Sequence, residues 1–426
     1  MRAETFFKGE RFAAKRECVK AISLLILSPA SREKFHALWR SVPAGLVAVT
    51  LVGVLVRLLV SCFSDGSDDI HTWERFAKEL SDLGLFRTYA EDRLFNHPPL
   101  MAYYAMGVEA VSRFSGLRFA CVFKFPVILA EAVSIVLVFR IWQSQKANRI
   151  ALLAAAWLAL NPASILVSAH HGNTDCLCAM LALLSMYYMD LQCPFSAGLS
   201  LGAAINVKLI PVILIPVLLG SATNRRTLAR VVAGLAIGAL PFIPVAMGAA
   251  AAFRDNAVAY NSHHNPWGIV LLIMDTWKTF PNVAETAAVY YETYGKGLVI
   301  AAAVAAGLVV LRNRTWTARR GATLVMSLFL VLAPGFGIQY IVYPMALALC
   351  CELELGALYA FLVSIFAIIT YGALWTGTWP AFSLFRGYPP LAQRIGIIAW
   401  AVLIALAVRL VRTRPLPEQA SRRELP

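Results

Sequence analysis

Long apolar segments alternate with short polar or basic segments along almost the whole chain. A helix of roughly 17–25 predominantly apolar residues crosses the hydrocarbon core of a bilayer. The pattern therefore predicts an all-α polytopic membrane protein, a bundle of about 12 transmembrane helices. The predicted spans are residues 42–62, 98–114, 120–142, 150–168, 174–190, 195–219, 229–250, 297–311, 321–336, 338–351, 355–374 and 391–411.

The composition agrees with this pattern. Of the 426 residues, 59% are hydrophobic and only 15% are charged, whereas soluble domains carry about 25% charged residues. A net charge of +14 could indicate nucleic-acid binding. The basic residues, however, lie in short clusters between apolar segments, where the positive-inside rule places them. We therefore expect a lipid bilayer and no nucleic acid as partner.

The basic clusters predict the orientation of the chain, because they favour the cytoplasmic side of a membrane. The clusters are the N-terminal arm, residues 224–230, residues 312–320 and the tail from 409 to 423. Two long polar connections, residues 63–97 and 251–296, then face the outer side. The predicted regions are a cytoplasmic or interfacial arm (1–41), a transmembrane catalytic domain (42–411) and a basic cytoplasmic tail (412–426).

Strict alternation of these spans leads to a conflict. It places the basic segment 143–149 outside and the polar segment 170–175 inside. Two changes together would reverse both assignments: residues 98–114 would not cross, and residues 195–219 would be two half-spans broken at Asn206–Lys208. Broken helices are tolerated in membranes where they line a polar cavity. The sequence leaves both arrangements open.

The first outer loop contains an amphipathic segment, DDIHTWERFAKELSDLGLF. Its apolar residues follow the i, i+3, i+4 spacing of one helix face, and Gly84 is well placed to end the helix. The pattern predicts a helix that lies on the membrane surface. The apolar residues of that face are Trp73, Phe76, Leu80 and Leu83.

Asp68 and Asp69 stand at the start of this helix. One aspartate there is explained as a helix cap in a favourable dipole interaction. Two adjacent carboxylates exceed what a cap needs, so a chemical role is a competing explanation. The loop ends in FNHPPL, where two prolines stiffen the chain and fix His97 at the rim of the membrane domain.

A second polar cluster, HHGNTD, contains His170, His171, Asn173 and Asp175 between two apolar helices. Asn173 or Thr174 could cap the helix that follows. Paired histidines with an aspartate could also bind a metal, but no third ligand has a recognisable spacing. Hydrogen bonding to a polar or anionic substrate is the favoured interpretation, because polar residues within membrane segments are costly and usually functional.

Three other features place polar side chains within apolar sequence. Lys208, in INVKLIP, either snorkels to an interface or balances a negative charge in a cavity. A Pro-Gly break in the last third of the chain is typical of backbone that lines a cavity. The remaining candidates are Tyr260, His263, His264 and Trp267 in AYNSHHNPWG, and Gln339 and Tyr340 in PGFGIQY.

The serial order of these motifs resembles the integral-membrane glycosyltransferases of the GT-C superfamily, in particular bacterial, mannosyltransferase-like members. The resemblance covers nearly the whole chain after residue 40, although no single motif is diagnostic. It implies a catalytic carboxylate in the first outer loop, which maps best onto Asp69, with Asp68 next. The long soluble C-terminal domain of oligosaccharyltransferase-type members has no counterpart here, which argues against protein as the acceptor.

The resemblance also implies a polyprenyl-phosphate-linked sugar as donor and a lipid or glycan as acceptor. An aspartate would act as the base, and Lys208 with a histidine from positions 170, 171, 263 or 264 would hold the departing phosphate. Tyr260 and Trp267 would offer flat faces to a sugar or prenyl chain. Direct displacement would invert the anomeric centre. No cofactor or metal is expected with certainty, and a divalent cation is left open.

We thus predict a glycosyltransferase of a bacterial cytoplasmic membrane, active at the outer face. The competing interpretation is a transporter or flippase of a lipid-linked or polar solute. An intramembrane lysine and broken helices are typical of that class too. The clustering of polar residues in long outer loops favours the transferase, and so does the lack of an inverted pair of broken helices.

Overall fold

A computed structural model describes residues 42–145, 147–260, 265–313, 315–374 and 388–413. In these residues all regular secondary structure is helical, which confirms the predicted all-α class. The helices are α1 (Ala44–Phe63), α2 (Asp68–Leu83), α3 (Leu85–Glu91), α4 (Pro99–Ser115), α5 (Phe119–Gln143), α6 (Asn148–Ala159), α7 (Pro162–Ile165), α8 (Asp175–Asp190), α9 (Pro194–Val207), α10 (Ile215–Gly220), α11 (Arg225–Gly238), α12 (Phe242–Gly248), α13 (Ala250–Phe253), α14 (Gly268–Thr276), α15 (Pro281–Tyr294), α16 (Lys296–Arg312), α17 (Ala318–Val331), α18 (Met345–Cys351), α19 (Leu353–Leu374) and α20 (Pro390–Arg412).

Four of the described helices, α1, α5, α19 and α20, are each long and apolar enough to cross a membrane. Three bent pairs, α6 with α7, α11 with α12 and α15 with α16, raise the number to as many as seven if each pair is one span. Three shorter apolar segments lie at Pro194–Val207, Ile210–Gly220 and Ile338–Cys351. The integral-membrane character is thus supported, while the number of 12 spans stays a prediction.

The structure resolves the conflict over topology. The Ser67 backbone N–H donates to the His171 carbonyl, so HHGNTD lies at the end of the bundle where α1 ends and α2 begins, called here the site end. Helix α5 starts beside that end and runs for about 37 Å, so residues 143–149 lie at the opposite end. Both proposed changes agree with this: α4 is outside the set of candidate spans, and the helix that contains Asn206 ends at Val207.

Helix α2 forms where predicted and ends at Gly84, which has a φ of 78°. Its N-terminal cap, however, is Ser67, whose Oγ accepts a hydrogen bond from the Asp69 backbone N–H. The prediction that an aspartate is the cap is therefore wrong, although both aspartates lie in the first turn, where negative charge is favourable. The apolar face of α2 packs on protein, since Trp73 lies 5.4 Å from Phe123 between ring centroids.

A buried ion pair joins α1 to α5, and hydrogen bonds of the same arginine reach the bent α6–α7 pair. Arg57 makes five hydrogen bonds, among them 2.9 Å to Glu131 on α5 and 2.6 Å to the Ala159 carbonyl. Its other side-chain partner is Ser164, which also donates to Glu131. Because the guanidinium bonds carbonyls at the end of α6, it stabilises the bend that leads to HHGNTD.

Glycines allow α9 and α11 to pack closely, as small residues do in membrane helix pairs. A Cβ atom on Gly198 would lie 2.1 Å from the Val231 carbonyl oxygen. One on Gly202 would lie 2.8 Å from the Cα of Gly238. Both helices carry a GxxxG sequence at this contact. The contact holds the C-terminal end of α9, and thus Lys208, in place.

Two basic residues fix the chain after α1. Arg118 donates to the Cys62 carbonyl at 2.6 Å and also pairs with Asp65. Lys124 donates to the Ser64 carbonyl at 2.9 Å. Cations are favourable at the C-terminus of a helix, where carbonyls lack partners. These contacts hold the segment that leads into α2 against α5.

Residues 1–41 and 414–426 lie outside the described residues. They include nearly all of the predicted arm and tail, so the division into three regions stays a prediction.

Candidate active site

The carboxylate of Asp69, the second residue of α2, is held from one side only. Its Oδ2 accepts hydrogen bonds from His171 Nε2 at 2.8 Å and from Asn173 Nδ2 at 2.6 Å. Within the described part of the chain Oδ1 has no hydrogen-bond partner, and 44% of the side chain is exposed. The carboxylate is therefore fixed through one oxygen and accessible at the other.

Lys208 is connected to this carboxylate through Asn173. The Lys208 ammonium donates to Asn173 Oδ1 at 3.1 Å and to Asp175 Oδ2 at 2.5 Å. One amide side chain thus links the cation to Asp69, accepting from the one and donating to the other. Asp175 is fully buried, whereas the Lys208 side chain keeps 12% exposure. The cation is balanced by buried protein groups yet still reaches the site surface.

The backbone of Lys208 shows why the residue can take this position. Helix α9 ends at Val207, and Lys208 is extended, with φ of −149° and ψ of 150°. A 3₁₀ turn, Ile210–Leu214, follows. The break turns the side chain away from the helix axis and towards HHGNTD, as irregular backbone does where it lines a polar site.

Ile70 sets the register between α2 and HHGNTD. It is buried between Gly66 and Gly172, and a Cβ atom on either glycine would lie 2.5 Å from the Ile70 side chain. Both glycines have positive φ, 100° and 74°, which is the region that side chains disfavour. Gly172 directly follows a π-helical turn, Leu166–His171, a feature that recurs at functional sites. This packing brings Asp69 opposite His171.

The surroundings of Asp69 keep it ionised. Burial alone would raise the pKa of Asp69, but the His171 imidazole, the Lys208 ammonium and the amide of Asn173 all favour the anion. Together they hold the pKa of the carboxyl well below its usual value. Asp69 is therefore an anion across the physiological pH range, poised to accept a hydrogen bond from a hydroxyl.

His97 lies beside the site as a neutral imidazole. Burial, together with the nearby charge of Lys208, lowers the pKa of His97 to about 3, against the opposing effect of Asp69. Its ring lies over Trp73, with 4.2 Å between centroids. The predicted rim position is thus within electrostatic reach of both charged residues of the site.

The other predicted residues divide into two groups. Tyr340 belongs to the site, because its ring lies 5.7 Å from the Lys208 ammonium. Tyr260 is exposed, and its phenol interacts electrostatically with both Lys208 and Asp69. Asp68 is exposed and forms no hydrogen bond in the described residues. His170 bonds Ser64 Oγ at 2.7 Å rather than Asp69.

Trp267 and Gln339 contact other parts of the protein. Trp267 is 1% exposed, stacks on Phe336 at 4.5 Å and donates to the Leu330 carbonyl. Because its ring is packed in the core, this geometry does not support the predicted contact with a sugar or prenyl chain. The side-chain amide of Gln339, the residue before Tyr340, lies over Gly337.

His263 and His264 lie outside the described residues. In the described residues, no three His, Cys, Asp or Glu side chains come together as a metal-binding group.

Sequence reasoning missed Tyr371 and Ser67. The Tyr371 hydroxyl lies 2.9 Å from His171 Nδ1, and Ser67 Oγ donates to the His171 carbonyl at 3.1 Å. Ser67 had a signal, since serine is a preferred N-cap just before an amphipathic helix. Tyr371 had no such signal, because it lies 200 residues after His171 in the chain and within an apolar helix.

The site therefore combines an ionised, accessible carboxylate with an ammonium group linked to it through Asn173, at one end of an apolar helical bundle. This arrangement defines an integral membrane protein that is equipped to accept a proton and to bind an anion side by side. Comparison with known proteins then identifies the class. Residues 95–334 match the family model for Glycosyltransferase family 87, which is more than half of the chain.

The chain belongs to glycosyltransferase family 87. This confirms the predicted class of membrane glycosyltransferase. The matched segment contains His97, HHGNTD and Lys208, whereas Asp69 precedes it. A search among curated proteins found no match.

Proposed function

We propose that this glycosyltransferase moves a sugar from a polyprenyl-phosphate-linked donor to a lipid- or glycan-linked acceptor at the outer face of a bacterial cytoplasmic membrane. The observation that carries the proposal is the coupling of Asp69 to Lys208 through Asn173. Transfer from such a donor needs a base for the acceptor hydroxyl and positive charge for the departing phosphate. The site holds both groups side by side.

Asp69 is the proposed base. Its Oδ1 is free to accept the acceptor hydroxyl, while His171 and Asn173 fix Oδ2. A carboxylate with so low a pKa is a weak base in the empty site. A bound phosphate on Lys208 would offset the positive charge that lowers this pKa. Donor binding would thereby strengthen the base at the moment it is needed.

Lys208 is the proposed partner of the donor phosphate. Two of its three ammonium hydrogens are directed at Asn173 and Asp175, which leaves one for a ligand. Tyr340 faces the ammonium and would line the same position. A lipid phosphate leaves as an anion, so this cation would stabilise the charge that develops as the sugar departs.

A single-step reaction agrees with one accessible oxygen on Asp69. The acceptor oxygen would attack C1 of the sugar as the bond from C1 to the phosphate oxygen breaks. Its proton would pass to Asp69, and the lipid phosphate would leave. One direct displacement inverts the anomeric centre. The family match favours this function over the transporter or flippase that the sequence had left as an alternative.

The test is transfer by the purified protein in detergent. A panel of radiolabelled polyprenyl-phosphate sugars, mannose first, would be offered with a total bacterial lipid extract as acceptor. A parallel panel of nucleotide sugars is the control for donor class. We expect label in a new lipid or glycan from a polyprenyl-phosphate donor only. Transfer from a nucleotide sugar, or counterflow of a labelled solute in proteoliposomes without any transfer, would contradict the proposal.

A further inference from the structure

Tyr371 is a residue of α19 and lies on the side of His171 that is remote from Asp69. It is fully buried, and its hydroxyl is 2.9 Å from His171 Nδ1. Its ring is perpendicular to those of both histidines, with centroids 5.7 Å from His170 and 5.6 Å from His171. The tyrosine thus contacts the His-His pair by its edge and by its hydroxyl.

The hydrogen bonds of His171 determine which ring nitrogen carries the proton. An ionised carboxylate only accepts, so Nε2–H must donate to Asp69 Oδ2. In the tautomer with its proton on Nε2, Nδ1 is an acceptor, and the Tyr371 hydroxyl donates to it. The chain of donors runs in one direction, from Tyr371 through His171 to Asp69.

We propose that Tyr371 is a positioning residue for the transfer reaction: its hydroxyl holds His171 in the tautomer and orientation that bind Asp69 Oδ2 and leave Oδ1 for the acceptor. The inference rests on the proposed function of Asp69 as the base. Without the hydroxyl, His171 could carry its proton on Nδ1 and turn a lone pair towards the carboxylate. Asp69 would then lose a hydrogen bond and meet repulsion instead.

Other charged and titratable groups around Asp69 remain in place when only this hydroxyl is removed. They are Lys208 at the end of α9, His97 before α4, Tyr260 after α13 and, through Lys208, Asp175 at the start of α8. A change in Asp69 on removal of the hydroxyl would therefore report the connection through His171.

The chain offers a matched control on the same helix. Tyr359 of α19 is also fully buried, and its hydroxyl donates at 2.9 Å to the Ile341 carbonyl, away from Asp69. Tyr371→Phe and Tyr359→Phe each remove one buried hydroxyl and one hydrogen bond. Any loss of helix packing alone should appear in both variants.

The first measurement requires no knowledge of the sugar. An apolar carbodiimide reacts with protonated carboxyl groups, so its labelling of Asp69 against pH, followed by peptide mass spectrometry, reports protonation of that carboxyl. We expect Tyr371→Phe to move this labelling curve upward by about one pH unit. Tyr359→Phe should follow the wild-type curve. A wild-type curve for Tyr371→Phe would overturn the proposal.

Kinetics give the second measurement. Tyr371→Phe should lower kcat roughly tenfold and change the KM for the donor less than twofold. In a His171→Ala background the same substitution should have no further effect, since its route to Asp69 is absent. Equal losses in both backgrounds would overturn the positioning role. If Tyr371→Phe fails to fold, Tyr371→Met replaces it in both assays.

The two experiments also separate the two proposals. A shifted labelling curve in a protein that transfers no sugar would contradict the proposed function and support the Tyr371–His171 connection. Transfer that depends on Asp69 but is unaffected by Tyr371→Phe would support the function and overturn the connection.

Discussion

The Arg57 network and the Asp69 network, two of the charged networks among the described residues, differ in how far each is exposed to solvent. Arg57 is 0% and the Glu131 side chain 6% exposed, and the guanidinium bonds three backbone carbonyls besides its ion pair. The network of Asp69 is only partly closed. Its buried side is bonded by His171 and Asn173, but 44% of the Asp69 side chain is exposed.

From this difference we infer a structural role for the Arg57 network and propose a chemical role for the Asp69 network. Burying charge in a membrane protein is costly, so we assign a structural role to Arg57–Glu131, an ion pair that is closed to solvent and bonded to backbone carbonyls. The Asp69 carboxylate is only partly removed from solvent, with one oxygen fixed by hydrogen bonds and the other accessible. In a glycosyltransferase that free oxygen is the group expected to meet substrate.

The largest effect on stability should come from a substitution in the Arg57–Glu131 network. Glu131→Gln leaves Arg57 as a buried charge without its counterion, so we expect the free energy of unfolding to fall by about 3–5 kcal/mol. Unfolding in mixed detergent would measure it. The matched control is Glu91→Gln, which breaks an exposed pair with Arg87 and should cost less than about 1 kcal/mol. Equal losses in both variants would contradict the comparison.

Substitutions in the network of Asp69 and Lys208 should lower activity more than stability. Lys208→Ala should lower kcat/KM by about 10²–10³ because the phosphate loses its cation, but it also leaves Asp175 buried without a partner. The double variant Lys208→Ala with Asp175→Asn removes that buried charge. We expect it to regain the wild-type melting temperature without regaining transfer. Recovery of transfer in the double variant would show that Lys208 is structural.

A smaller, pH-dependent effect should come from His97. Its pKa is about 3 in the folded protein, below the value near 6.5 of an unfolded chain, so the unfolded state gains the proton first. The contribution of His97 to the free energy of unfolding is therefore fully present above pH 6.5. It falls as the pH drops towards 3, by at most about 1.4 kcal/mol per pH unit. His97→Gln should lose this slope between pH 6.5 and 5. A slope unchanged by the substitution would contradict the assignment.

Much of the fold could be predicted from sequence, because apolar length and basic clusters report membrane spans and their ends directly. Helix α2 and its end at Gly84 followed from side-chain periodicity. The burial of its apolar face was not predictable in the same way. Periodicity identifies an apolar face but not whether lipid or Phe123 covers it.

The candidate site was predictable where its residues lie close in sequence or interrupt apolar segments, as Asp69, HHGNTD and Lys208 do. Their connection was not. Asn173 was expected to meet substrate, but its amide is bonded by Asp69 and Lys208. Trp267 was expected at the surface, but an aromatic residue in a polar loop carries no sign of the core position it takes against Phe336.

We propose that Asp69, and not its neighbour Asp68, is the base. The most direct test is the transfer rate of Asp69→Asn beside Asp68→Asn at saturating donor, with both variants purified and their melting temperatures matched to wild type. The two substitutions remove the same charge from adjacent positions of α2. We expect kcat to fall by a factor of about 10²–10⁴ for Asp69→Asn and to stay near the wild-type value for Asp68→Asn. Transfer that survives Asp69→Asn, or fails equally in both variants, would contradict it.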